Sequence, residues 1–168
     1  AEELDDSALP ELPRDVLEWI KEARPIVDGF HRHVEFLPLW EQIYNDNHWN
    51  TMILAGRQVF KSTYCTDILA HEVTTKSNTQ AVYLVDDETR LHAFSQQRFR
   101  VGTLEQNEKL LQFPRHGLGT IGEVSMKNGS TVYLSTDIGG FRKVEGKSPS
   151  LIVLDEAQYQ ELEFIDKL

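Results

Sequence analysis

Apolar residues recur along the chain with two different periods. Val16, Leu17, Trp19 and Ile20 keep helical spacing between Arg14 and Arg24, and Pro25 ends that stretch. Leu39, Trp40, Ile43 and Tyr44 give a second short helix an apolar face, and Pro38 suits its first position. From Thr51 onward short, fully apolar runs take over. Thr51-Met52-Ile53-Leu54-Ala55, Ala81-Val82-Tyr83-Leu84-Val85 and Leu151-Ile152-Val153-Leu154 each have the length and composition of a buried strand. Helical stretches follow the first two, over about 61–73 and over 88–112 with an interruption near Gly102. Runs at 122–126 and 130–134 flank Asn128-Gly129, the strongest short hairpin signal. Another helix begins around Gln158.

Strand, helix, strand, helix, hairpin, strand predicts an α/β fold. The expected core is a mainly parallel, buried central sheet flanked by helices, with a β-hairpin added. The chain has 168 residues, of which 40% are hydrophobic, enough for one packed core. No apolar run reaches the ~18–20 residues that would cross a bilayer, so no membrane association is expected. The start of the chain lacks the basic and apolar segments of a secretory signal. The single Cys65 has no internal disulfide partner, and an intracellular setting is expected.

The formal net charge is −10. The first 46 residues carry twelve acids against four Lys and Arg, so the rest is nearly neutral. An acidic arm and helix over 1–35 and a main domain over 36–168 follow from this division, with residues 1–13 as a flexible lead-in. Acidity of this degree argues against a protein that simply coats nucleic acid.

Two motifs carry chemistry. The first is Gly56-Arg57-Gln58-Val59-Phe60-Lys61-Ser62-Thr63, between a predicted strand and a predicted helix. A turn whose backbone N–H groups face a polyphosphate, a lysine for the terminal phosphates and a hydroxyl for Mg²⁺ make a phosphate loop. The helix N-terminus adds its dipole. Lys61 and Ser62 stand where those side chains are required, with Thr63 as a further phosphate contact. One residue fewer separates Gly56 from Lys61 than in the standard pattern, and Phe60 stands where a second glycine is usual. The second motif is Asp155-Glu156, directly after the apolar run at 151–154. Acids at the carboxyl end of a buried strand lie where doubly wound sheets bind ligands. Asp155 suits Mg²⁺, and Glu156 suits orienting and activating a water for phosphoryl transfer.

Together these motifs resemble the N-terminal ATPase domain of the large terminase subunit, the DNA-packaging motor of tailed viruses. The resemblance covers about residues 36–160. It rests on Gly56-Arg57-Gln58 and the shortened loop, Phe94-Ser95-Gln96-Gln97-Arg98-Phe99, Asn128 to Ser135, Arg142 with Gly146-Lys147-Ser148, and Asp155-Glu156-Ala157. It implies a P-loop NTPase fold of the ASCE type and hydrolysis of ATP with Mg²⁺ to drive DNA into a capsid. It also implies that Glu156 is the catalytic carboxylate, and that Arg57 senses the γ-phosphate. Arg142 would reach a neighbouring subunit's nucleotide. Such a finger contributes about 10³–10⁵ in rate, so a lone subunit is expected to be slow. Gly56, Gln58, Lys61, Ser62 and Thr63 would bind the nucleotide, and Ser62 and Asp155 the metal. Phe36-Leu37-Pro38-Leu39-Trp40-Glu41-Gln42 resembles the adenine-recognition segment. There Gln42 would read the base edge and Trp40 or Tyr44 would stack on it; the alternative is a helix packed over the sheet edge.

The implied partners are double-stranded DNA, the viral portal or procapsid, the small terminase subunit and further copies in a ring. The implied location is the host-cell cytoplasm. The coupling motif and the nuclease domain of that family are not found before Leu168, so the resemblance leads us to expect a fragment of a longer protein, without nuclease activity. The rival readings are a helicase-like ATPase and a nucleotide-binding assembly module without turnover.

Other features carry less. The six histidines are scattered and read as solvated or capping residues. Asp86-Asp87-Glu88 reads as a helix start. Arg90, Arg98, Arg100, Lys109 and Arg115 supply positive charge that could touch DNA, diluted by Glu105 and Glu108. Cys65 reads as a packing residue.

Overall fold

A computed structural model describes residues 8–23, 25–27, 30–31, 38–46, 48–56, 59–136 and 148–157. In chain order the helices are α1 (Val16–Ala23), α2 (Pro38–Tyr44), α3 (Lys61–Thr75) and α4 (Glu88–His92). The strands are β1 (Ile26–Val27), β2 (Phe30–His31), β3 (Gln80–Val85), β4 (Pro114–Thr120), β5 (Glu123–Met126), β6 (Thr131–Thr136) and β7 (Leu151–Leu154). The predicted α/β character is present. β1 and β2 form a separate antiparallel pair. Among the described residues, none of the helices is long and apolar enough to cross a membrane. Of the lead-in predicted over 1–13, residues 1–7 lie outside the described residues, whereas Leu12 is buried in the core with Leu9 packed against it, so that end of the lead-in is anchored by apolar burial rather than flexible. The helix predicted from Gln158 lies outside the described residues.

β3 to β7 form a five-stranded sheet in the order β4-β5-β6-β3-β7. β3 pairs in parallel with β6 and with β7, whereas β5 pairs antiparallel with β6 and with β4. The sheet is therefore mixed, not mainly parallel as expected. The reason is local. Short turns can only fold a strand back antiparallel, and two of them follow one another at 121–122 and 127–130. The Asn128-Gly129 hairpin was readable. β4 was not, because Pro114, Gly117 and Gly119 depress strand propensity. β4 lies at a sheet edge, where such residues are tolerated.

The run at 51–55 corrects the sequence reading more sharply. It forms no strand; Met52 is 83% and Leu54 is 89% exposed. Just before it, Asp46 collects the His48 amide (3.1 Å), the His48 ring and the Thr51 hydroxyl (3.0 Å). Such local side-chain bonds compete with sheet pairing. The His48 contact, above all the ring hydrogen bond, lowers the Asp46 pKa and raises that of His48.

The core lies on the sheet face that carries Ala81, Tyr83, Val85, Val132, Leu134 and Val153. α3 packs on it through Leu69, Ala70 and Val73, all fully buried. α1 adds Trp19 and Ile20, and the Trp19 indole N–H donates to Thr74 Oγ1 at 3.1 Å. His71 Nε2–H donates to the Arg14 carbonyl at 2.7 Å, and burial pushes its pKa down, keeping the ring neutral. The Asn107 amide donates to the Ala23 carbonyl at the end of α1.

α4 continues into a more widely wound π-helix over Ala93–Glu105. There the Thr103 hydroxyl donates to the Arg98 carbonyl, five residues back, at 3.0 Å. The i→i+5 winding sets residues five apart on similar bearings, so Phe94 and Phe99 both reach the core. Phe94 stacks on Tyr83 with ring centres 3.7 Å apart. Gly102 lies inside this stretch; the break expected there comes after Glu105.

The hairpin also finishes α3. The Asn128 amide donates to the carbonyls of Val73 (2.8 Å) and Lys76 (3.1 Å), and the Ser130 hydroxyl to Lys76 (2.8 Å). These bonds satisfy carbonyls that a helix end leaves open. Gly129 makes the fit possible: its φ is +85°, and a Cβ there would stand 2.2 Å from Asn78 Oδ1. Gly129→Ala is accordingly expected to lower the unfolding free energy by roughly 1–3 kcal/mol in urea titrations. An unchanged midpoint would show that the hairpin does not constrain α3.

Candidate active site at the carboxyl edge of the sheet

Parallel strands send their carboxyl ends to one edge. β6, β3 and β7 therefore end together, at Thr136, Val85 and Leu154. α3 returns to the start of β3 through the short link 76–79 and packs along the sheet, so it runs antiparallel to β3. Its first residues, Lys61 and Ser62, consequently stand at that same carboxyl edge. The acids after β7 stand there too. The buried Cys65, one turn into α3, reports on both: burial first, then the charges of Asp155 and Asp67, push its thiol pKa up, and Lys61 acts in the opposite sense. The thiol is therefore inert and serves packing.

Asp155 is fixed at three points. Its backbone N–H donates to the Leu84 carbonyl at 2.9 Å, continuing the β3–β7 ladder by one step. Its Oδ2 accepts from the Tyr83 hydroxyl at 2.9 Å, and its Oδ1 accepts from the Glu156 N–H at 3.0 Å. Burial, then the charge of Asp155, push the Tyr83 pKa far up, so this phenol remains a donor. Tyr83 was missed in the sequence. Its signal was the alternation on β3 and β7, which sets Tyr83 and Asp155 on the same face.

The chain turns into α3 through Phe60, whose φ is 66° and ψ 21°. This left-handed conformation costs a non-glycine residue about 1–2 kcal/mol. It is also the freedom that the second glycine of a standard phosphate loop supplies. The N-cap residue of α3, Phe60, supplies no side-chain cap, and the first amides of this 15-residue helix point toward the site. The Lys61 ammonium donates to the Ala55 carbonyl at 3.3 Å, folded back over the loop. Glu156 is the second strained position, with φ 53°. Of the three non-glycine residues at positive φ among the described residues, Phe60 and Glu156 lie at this edge, and the third, Asn78, is of a residue type that tolerates the conformation.

The other predicted residues are spread more widely. Thr63 is only 3% exposed and turns toward the core, whereas Ser62 is partly exposed. Gly56 is exposed, and a Cβ there would meet nothing. Trp40 is 4% exposed and packs against Tyr64 and Tyr44, with ring centres 5.4 and 6.4 Å away. Its ring thus serves the core, the alternative weighed for this helix. Gln42, on the other side of α2, is exposed. The Tyr44 hydroxyl donates to buried Asp67. Arg57, Gln58 and Arg142 lie outside the described residues.

Of the basic residues after β3, three have partners. Arg90 binds Asp86, Arg100 donates to the carbonyls of Thr120 and Glu123, and Lys109 pairs with Glu22. Arg98 and Arg115 are exposed. Asp87 caps α4, as the helix-start reading expects, accepting from the Arg90 N–H at 2.9 Å. Among the described residues there is no group of three or more His, Cys, Asp or Glu able to hold a metal. A scan of protein-family profiles finds no match, and a search of curated proteins finds none either.

The strain at Phe60 has a measurable signature. Phe60→Gly removes the left-handed cost while losing a ring that is 45% exposed, and should leave the unfolding midpoint unchanged or raised. Phe60→Val adds a β-branched side chain at the same φ and should cost about 1 kcal/mol or more. Equal destabilisation by both would contradict the assigned turn.

Proposed function

We propose that the chain is an ATP-hydrolysing P-loop domain, of the kind that powers DNA packaging in tailed viruses. The observation that carries the reading is a single juxtaposition. The amide end of α3, with Lys61 and Ser62, shares the carboxyl edge of the sheet with Asp155 and Glu156. One end attracts phosphate, and the other supplies carboxylates for a metal and a water.

In this reading the first-turn amides of α3 and the Lys61 ammonium, released from the Ala55 carbonyl, bind the terminal phosphates. Ser62 and Asp155 hold Mg²⁺, which supplies charge neutralisation on the phosphate oxygens. Mg²⁺ is commonly held by one or two protein ligands together with phosphates and water. Tyr83 keeps the Asp155 carboxylate oriented. Glu156 orients the attacking water, and its strained backbone fixes where the carboxylate starts. Gln42, Arg57, Gln58 and Arg142 remain candidates for base, γ-phosphate and trans contacts. DNA, portal, small terminase subunit and ring neighbours are the partners this function implies, in the cytoplasm of an infected cell.

Calorimetry with MgATP and phosphate-release kinetics test the proposal. Lys61→Ala should abolish binding. Glu156→Gln should bind MgATP with little change but lose about 10²-fold or more in turnover. Binding without turnover in the wild type would favour the assembly-module reading. No binding at millimolar MgATP, or an unchanged Lys61→Ala, overturns the proposal.

A further inference from the structure

β3 and β7 both leave the sheet into carboxylates. Leu84 lies opposite Leu154, and the Asp155 N–H continues the ladder onto the Leu84 carbonyl. β3 ends at Val85 and β7 at Leu154, so Asp86 and Glu156 follow the ends of neighbouring strands. Like charges on neighbouring strand ends repel. Arg90, which follows β3 in α4, is bound to the acids at the end of that strand. Arg90, in the first turn of α4, donates from one terminal nitrogen to both Asp86 oxygens at 2.9 Å. Its Nε lies 3.2 Å from Asp87 Oδ2, and its backbone N–H is held by the Asp87 cap. Two acids thus anchor one guanidinium at both its fork and its stem.

We propose that Arg90 is a positioning residue for Glu156, holding a fixed positive charge opposite that carboxylate across the ends of β3 and β7. The inference rests on the assignment of Glu156 as the carboxylate that orients water. Desolvation works against the Arg90 charge, but Asp86, Asp87 and Glu156 outweigh it and raise its pKa, so it is permanently cationic. The Asp86 side chain is 17% exposed, which limits screening of the anchor more than at an open surface pair. Glu156, at φ 53°, leaves the strand in a conformation that restricts where its side chain can go. Arg90 then selects among the remaining positions. Lysine supplies the charge without the fork, so it should replace Arg90 only in part.

An ion pair on the surface contributes little to stability, so Arg90→Gln should fold normally. The full chain and its Arg90→Gln, Arg90→Lys and Asp86→Asn variants would be compared by MgATP calorimetry, steady-state hydrolysis and the backbone amide resonance of Glu156 in nucleotide-free protein. Arg90→Gln should lower kcat about tenfold to a hundredfold with KM and MgATP affinity within about threefold of wild type. Arg90→Lys should recover part of that loss. The Glu156 amide should move in Arg90→Gln and, less far, in Asp86→Asn, which releases the anchor. Full kcat in Arg90→Gln, or a rise in KM with kcat unchanged, overturns the inference while leaving the ATPase reading intact. If wild-type protein neither binds nor hydrolyses ATP, that reading fails instead. The resonance then decides the Arg90–Glu156 coupling, and an unmoved Glu156 amide overturns it. Asp86→Asn decides the same point if Arg90→Gln does not fold.

Discussion

Parallel pairing on both sides of β3 governs where everything else lies. A parallel strand must return to its start by a connection across the sheet, which places all its neighbours' carboxyl ends at one edge. α3 leads into β3 from the opposite direction, so its amide end reaches the same edge. Slipping β7 by one residue would turn Asp155 to the opposite face and separate it from Tyr83. The hydrogen bonds from Asn128 and Ser130 to the end of α3 act on the same arrangement from the other side of the molecule.

The site edge concentrates features that a core optimised for stability alone would lack. Phe60 and Glu156 hold left-handed backbones, two adjacent strand ends carry acids, and the N-cap position of α3 is a phenylalanine that supplies no side-chain cap. Each is unfavourable locally, and each is tolerated because the fully buried Leu69, Val73, Tyr83 and Leu134 hold the surrounding elements. Strain of this kind persists only where the neighbouring structure over-determines it. An anion against the α3 amides and a cation between the carboxylates would relieve two of these terms together.

Much of the scaffold was legible in the sequence. The helix of α3, β3, the β5–β6 hairpin and β7 all coincide with apolar runs or turn residues that have a direct mechanism. Two features were not legible, for a shared reason. β4 has weak strand residues and exists because β5 offers it an edge. The run at 51–55 has strong strand residues and stays out of the sheet, next to a local network at Asp46. Strand formation is decided by partners as well as by composition. At the site, Lys61, Ser62, Asp155 and Glu156 were found by motif, and the structure brings them to one edge. Tyr83 and Arg90 belong to no motif; register shows Tyr83 under Asp155, and the ion pairs with Asp86 and Asp87 hold Arg90 at the end of β3. Trp40, chosen for its stacking chemistry, is occupied by Tyr44 and Tyr64.

The central claim is that the amide end of α3 and the acids after β7 form one Mg-nucleotide site. Amide chemical-shift mapping with the non-hydrolysable analogue AMP-PNP, with and without Mg²⁺, tests it most directly. The account predicts saturable shifts that are largest at Lys61, Ser62 and Thr63 and, only when Mg²⁺ is present, at Asp155 and Glu156. Shifts centred on the exposed apolar stretch from Trp49 to Leu54, or none at millimolar nucleotide, would contradict it.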